Sequence, residues 1–141
     1  YVHETISQNF RMSEIEAGWL RVQLADLDVA TRRRRSIARH YREAAPALDW
    51  QSDHDDHVYH LCVARVPDRD GFRSALAAAG VTTAVHYPLS IGQQPAYRGS
   101  LRDATPVADD WAARCVSLPC FPEMTDAEVD HVAGALAAAA S

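Results

Sequence analysis

Val58-Tyr59-His60-Leu61-Cys62-Val63-Ala64-Arg65-Val66 stands between a polar stretch, Gln51 to Asp56, and Pro67. β-Branched and aromatic residues in such a run suit the pleated surface of a strand, and a proline, lacking an N–H for the ladder, ends it. Asp68 follows at once, with a carboxylate able to accept from the free amides of a helix start. Phe72, Leu76 and Ala79 then recur at helical spacing, and Gly80 supplies the left-handed residue at which helices stop. Val81 to Tyr87 reads as a second strand, closed by Pro88. Strand, helix and strand over residues 58–87 place the chain in the α/β class.

Upstream, Ser13-Glu14-Ile15-Glu16 is a capping box, and Ile15, Trp19 and Val22, flanked by Leu20, Leu24 and Leu27, keep the helical period. Nothing interrupts it until Pro46, so one long helix is expected from about Met12 to Ala45. A helix of that length outruns what so small a domain covers, and it should pack on another domain or subunit. Downstream lie a loop with Gly92, Pro95 and Gly99, a helix from about Thr105 to Ala113, and a short strand at Cys115 to Leu118. Thr125-Asp126-Ala127-Glu128 then opens a last helix through Val129, Val132 and Leu136. The expected fold is α/β (α+β): a small sheet of three to four strands, helices on one face, and a long N-terminal helix in front. Residues 1–141 read as a single domain, with the helix at about 12–45 and the α/β part at about 57–141.

With 48% hydrophobic and 23% charged residues in 141, the chain can build a proper core. A net charge of −5 argues against nucleic-acid binding, which needs concentrated positive surface. Arg32 to Arg35 do not change that, because consecutive helical residues point in nearly every direction. No apolar run approaches the roughly 20 residues needed to cross a bilayer. Cys62, Cys115 and Cys120 have no C-x-x-C spacing and read as buried, reduced thiols of a cytoplasmic protein. His54, His57 and His60, beside Asp53, Asp55 and Asp56, hold ligand types at a spacing that suits one helix face. They sit where loop passes into strand, so the expectation is a polar loop and no metal.

His86-Tyr87-Pro88 places an imidazole at a strand end beside a proline turn, a position where substrate-contacting groups lie. A hydrogen-bonded, partly buried structural histidine fits the same residues, and both readings stand. Neither Cys115 nor Cys120 belongs to a motif with a base, and no phosphate-binding glycine loop is present.

Several segments together resemble the DegT/DnrJ/EryC1/StrS family of sugar aminotransferases. They are Asn9-Phe10-Arg11-Met12-Ser13-Glu14, Gln23-Leu24 with Leu27, Arg33 to Tyr41 and His57-Val58-Tyr59-His60-Leu61. Gly80-Val81 leading to His86-Tyr87-Pro88, Gln94-Pro95-Ala96-Tyr97, and Leu118-Pro119 with Pro122 and Thr125 complete the set. The resemblance implies the C-terminal part of a fold type I enzyme that uses pyridoxal phosphate. Such an enzyme moves an amino group from glutamate or glutamine to a keto sugar carried on a nucleotide, as a homodimer. The family's Schiff-base lysine lies in the larger N-terminal domain, and this chain contains no lysine. No catalytic residue and no bound cofactor are therefore expected of the chain alone. Tyr1, without an initiator methionine, suggests a cut chain.

By the same resemblance Asn9 would reach the cofactor phosphate of the neighbouring subunit, with a turn-capping asparagine as the alternative. Arg11 would position that segment or meet an anion, with a packing ion pair as the alternative. His86 and Tyr87 would face the sugar. Departures are Ser7 for a usual glycine, Gly18-Trp19-Leu20 for small and aliphatic residues, Ser90 for a common proline, and Gly92 for a second histidine. A stand-alone dimerisation or partner-binding domain and a sugar dehydratase parent remain the other readings.

Overall fold

The computed structural model describes residues 2, 4, 12–97, 99 and 104–140. The long N-terminal helix is present as α1 (Glu14–Gln23) and α2 (Leu27–Ala44), joined by a 3-10 turn at Leu24–Asp26. Ser13 caps it reciprocally: its Oγ accepts from the Glu16 amide at 3.2 Å, and its own amide donates to the Glu16 carboxylate at 2.8 Å. The two halves differ in burial. No residue of α1 is buried, whereas α2 buries Ile37, Ala38 and Tyr41.

Beyond α2 the chain forms β1 (Asp49–Trp50), β2 (Cys62–Arg65), α3 (Arg69–Ala78), α4 (Pro106–Arg114), β3 (Cys115–Leu118) and α5 (Asp126–Ala139). The sheet has the order β1-β2-β3, antiparallel throughout, with Cys62 opposite Leu118 and Val63 opposite Ser117. Helices pack on one face. Ile37 and Tyr41 of α2, Phe72 and Leu76 of α3, and Val129, Val132 and Leu136 of α5 enclose Cys62, Val116 and Leu118 in one core. Alternation along β2 explains this: Cys62 and Ala64 are buried toward the helices, while Val63 and Arg65 are half-covered on the other face.

Two expected strands are shorter or absent, for local reasons. β2 begins at Cys62, not Val58, because Tyr59 sits at φ 47°, a left-handed conformation that ends extended pairing. Its amide donates to Nδ1 of His57 at 2.9 Å and its hydroxyl to the Asp53 carboxylate, so polar neighbours hold a turn where composition suggests a strand. Residues 81–87 form no strand. Only Ala84 pairs, exchanging two backbone bonds with Ser117 at 3.0 and 2.8 Å. Gly80 at φ 79° and Tyr87 at φ 58° bound the segment and leave too little extended chain for a ladder. β1 went unanticipated, being only two residues long.

The helix signals read from sequence are in place. Asp68 caps α3 by accepting from the Gly71 amide at 3.0 Å, and Gly80 provides the left-handed residue behind it. Thr125 and Glu128 form the second capping box at the start of α5. Arg65 ties the sheet edge to α4 through the carboxylates of Asp49 and Asp110, and its guanidinium lies 5.1 Å from the Trp111 ring. All three cysteines are free and buried. Among the described residues no helix is long and apolar enough to cross a membrane.

Candidate binding cleft at the end of the 81–87 segment

Ser117, in the middle of β3, anchors the candidate site. Its backbone pairs with Ala84, two residues before His86, and its Oγ lies 2.9 Å from Nδ1 of His86. The Cys115 thiol donates to the His86 carbonyl at 3.6 Å, so the imidazole is tied to the sheet through both main chain and side chain. Tyr87 follows at φ 58° with 60% of its surface exposed, its ring centroid 6.4 Å from that of His86. A bulky residue in this conformation, directly before a proline, costs about 1–2 kcal/mol, the kind of local strain that collects at functional sites.

Two grooves meet here. The larger, about 1040 Å³, runs over the face of the sheet away from the core and is walled by Tyr87, Ile91, Tyr97, Trp111 and Thr105. The smaller, about 800 Å³, lies toward α5 and includes His60, Thr82, Phe121, Glu128 and His131. His86, Ser117 and Leu61 line both. A cleft with mostly apolar and aromatic walls and a few polar groups is the form of a small-molecule site.

The loop over the larger groove is fixed by Ser90. Its amide donates to Oε1 of Gln93 at 3.0 Å, and its hydroxyl donates to the Asp109 carboxylate on α4. Ser90, which stands in place of a proline common in the resembled family, is thus a buried tether between loop and helix. Gln51 is a similar case on the sheet side. Its Oε1 accepts from the Val63 amide at 2.8 Å and its Nε2 donates to the Leu61 carbonyl at 3.2 Å, which completes the ladder beside β1.

Cys115 and Cys62 are not poised as nucleophiles, whereas the hydrogen bond with Cys62 lowers the Cys120 thiol. Burial pushes the Cys115 thiol up. Cys62 is pushed up by the neighbouring Cys120 thiol and then by burial. His57 is engaged structurally, its Nε2 3.0 Å from Nε2 of Gln51 and its ring 4.2 Å from that of Tyr59. His54 Nδ1 accepts from the Asp56 amide at 3.2 Å, while His60 lies on the smaller groove. Among the described residues no three His, Cys, Asp or Glu side chains come together as metal ligands.

Of the site residues named from sequence, His86 and Tyr87 come together at the cleft, whereas Asn9 and Arg11 lie outside the described residues. Sequence reading missed Ser117 and Trp111. The signal for Ser117 was a lone hydroxyl in the strand Cys115-Val116-Ser117-Leu118, where a buried polar group needs a partner.

The chain is similar in sequence and fold to known proteins. Over 99% of its length the chain is 37% identical to the erythromycin biosynthesis sensory transduction protein EryC1 of Saccharopolyspora erythraea, and it covers 40% of that protein. It is 36% identical, over 91% of its length, to the dTDP-3-amino-3,6-dideoxy-alpha-D-galactopyranose transaminase of Aneurinibacillus thermoaerophilus, covering 36% of it. The crystal structure of S. venezuelae DesV in complex with a ketimine intermediate superposes with a TM-score of 0.82 at 34% identity, across 99% of this chain and 40% of that one. The chain thus spans about two fifths or less of the length of these relatives. Residues 1–137 match the family described as the DegT/DnrJ/EryC1/StrS aminotransferase family. The chain belongs to that family.

Proposed function

We propose that this chain is the C-terminal, substrate-side domain of a nucleotide-sugar aminotransferase that depends on pyridoxal phosphate and takes its amino group from glutamate or glutamine. The observation that carries the reading is the junction of two grooves at His86, in a chain that matches sugar transaminases over nearly its whole length but only two fifths or less of theirs. The cofactor, when bound, supplies the electron sink for amino transfer. The residues present do not make its site: with no lysine, the chain has no side-chain amine for the Schiff base. The amine that holds the cofactor belongs to the rest of the parent.

This chain's own part is recognition. His86 hydrogen-bonds the sugar and Tyr87 lies against it, while the aromatic wall of the larger groove shields the reacting carbon from water. Asn9 would donate to the cofactor phosphate of a neighbouring subunit in a homodimer, and Arg11 would steady that segment. Ile15, Trp19 and Val22 are 86%, 68% and 75% exposed along one side of α1, an apolar stripe that the rest of the parent or a second subunit would cover. Three free, buried thiols fit a cytoplasmic setting.

The test uses the full product of the reading frame that carries this chain, supplied with pyridoxal phosphate, glutamate and nucleotide-linked keto sugars. Amino-sugar formation is the expected result, and His86→Ala should raise KM for the sugar roughly tenfold, the loss of about one good hydrogen bond. Loss of water from the sugar in place of amine gain would point to a dehydratase parent. No conversion of any sugar, with a partner protein held by the α1 stripe, would point to a non-catalytic binding domain.

A further inference from the structure

β3 ends at Leu118, and the chain leaves the sheet through Pro119 to reach Cys120. Leu118 stands opposite Cys62 of β2. Because side chains alternate along extended chain, Cys120 returns to the helix-side face that Leu118 and Cys62 share, where it is the diagonal neighbour of Cys62. Both thiols lie in the core there. They touch: the Cys62 thiol donates to the Cys120 sulfur, and the Cys120 thiol donates onward to the Arg34 carbonyl of α2 at 3.7 Å. Access separates the two. Cys62 is wholly enclosed, whereas Cys120 is 9% exposed and lines the smaller groove beside Pro119 and Phe121. The bond from Cys62, helped by the positive charge of Arg34, lowers the Cys120 thiol against the cost of burial, and the thiolate is the reactive form of a cysteine. Cys115, three residues before Leu118, faces the other way: it lines the larger groove, and its thiol donates to the His86 carbonyl.

We propose that Cys120 and Cys62 are a dithiol modification site, at which hydrogen peroxide entering the smaller groove joins the two cysteines in a disulfide. The Cys120 thiolate attacks one peroxide oxygen, the O–O bond breaks, and the departing hydroxide leaves as water with the proton that the thiol gave up. Cys120 is then a sulfenic acid. The Cys62 sulfur attacks the Cys120 sulfur, the S–O bond breaks, and a second water carries away the Cys62 proton. Two thiols lose two electrons and two protons, and one peroxide becomes two waters. Cys120 lies beyond the β2–β3 ladder, so its backbone can settle at the Cα separation of about 4.4–6.8 Å that a disulfide needs without breaking a strand hydrogen bond. The cross-link would tie β2 to the wall of the smaller groove. The sugar-recognition role makes no use of this pair, and the inference stands apart from the transaminase reading.

The test treats the folded full product of the reading frame with a small excess of hydrogen peroxide, blocks the remaining thiols with iodoacetamide, and maps the peptides without reduction. Cleavage after arginine releases residues 43–65 with Cys62, and a peptide starting at residue 115 that holds both Cys115 and Cys120. The expected result is one linked species, lighter than the two reduced peptides together by two hydrogens and separated again by dithiothreitol. It should persist in Cys115→Ser, which leaves Cys120 as the only cysteine of its peptide, and vanish in Cys120→Ser. Oxidation in urea should instead give mixed pairings, because the native contact is gone. Alkylation of both Cys62 and Cys120 after peroxide would overturn the proposal. So would sulfinic or sulfonic acid on Cys120 beside an alkylated Cys62, loss of the link in a folded Cys115→Ser, or the same mixture of pairings with and without urea. Should a serine variant fail to fold, the wild-type maps with and without urea still decide. Neither cofactor nor sugar enters the experiment, so its failure leaves the transaminase reading standing, and failure of that reading leaves the disulfide result intact.

Discussion

Tyr41 shows how a single side chain couples the core to the chain behind the cleft. It is fully buried, and its hydroxyl donates to the carbonyl of Pro119 at 3.0 Å. Tyr41→Phe keeps the ring and strands that carbonyl, so urea unfolding should show a loss of about 1 kcal/mol. An unchanged midpoint would mean that water serves Pro119 as well as tyrosine does. Tyr59 gives a pH dependence. Burial first, and the hydrogen bond to Asp53 second, push its phenol to about 12, above the ordinary value of about 10. The folded state holds that proton more tightly than the unfolded state. The associated stability is therefore complete below about pH 10 and lost as pH rises through about 12. Tyr59→Phe should flatten the alkaline limb of a stability-versus-pH curve, and an unchanged limb would assign the loss to another group. At this scale sequence was a partial guide. His86 stands out in the sequence through the proline turn that follows it, although the strand expected there is absent, whereas Ser117 became meaningful only once pairing set it opposite Val63 and beside Ala84.

Elements were legible where caps or punctuation bound them. The two capping boxes, Asp68 and Gly80 fix helix ends by local hydrogen bonds that neighbouring sequence specifies by itself. The limits of β3 agree with those read from the sequence, because α4 and Pro119 enclose four residues that must be extended. Residues 58–61 and 81–87 failed as strands because pairing is non-local: a β-branched run is only half of a ladder. The capping boxes also predict contrasting outcomes. Thr125→Ala opens α5, which is packed into the core, and should cost about 1 kcal/mol of global stability by chemical denaturation. Ser13→Ala opens α1, which buries nothing, and should lower helical circular dichroism while leaving the global midpoint in place. Equal midpoint shifts in the two variants would contradict the division between a packed and a projecting helix.

The whole molecule is a packed unit with an unmatched front. α2, α3 and α5 close the core against the sheet, while α1 carries its apolar stripe into solvent. Trp19→Ser should leave unfolding free energy within about 0.5 kcal/mol of wild type, as for a surface site, and should reduce self-association in sedimentation experiments. A large loss of stability would mean that α1 is folded back on the core. The α/β class, the one-sided helices and the long N-terminal helix were all readable from period and punctuation. The site was readable only in part, because a groove is made by elements that meet from distant stretches of chain: 81–87, β3, and the loop that Ser90 ties to α4. The most direct measurement follows the amino group itself. The full product of the reading frame, with pyridoxal phosphate and ¹⁵N-glutamate, is incubated with nucleotide-linked keto sugars, and the products are read by mass spectrometry. Appearance of ¹⁵N in a sugar, reduced by His86→Ala, is the predicted result; recovery of every sugar unaminated would contradict the assignment of this chain to a sugar aminotransferase.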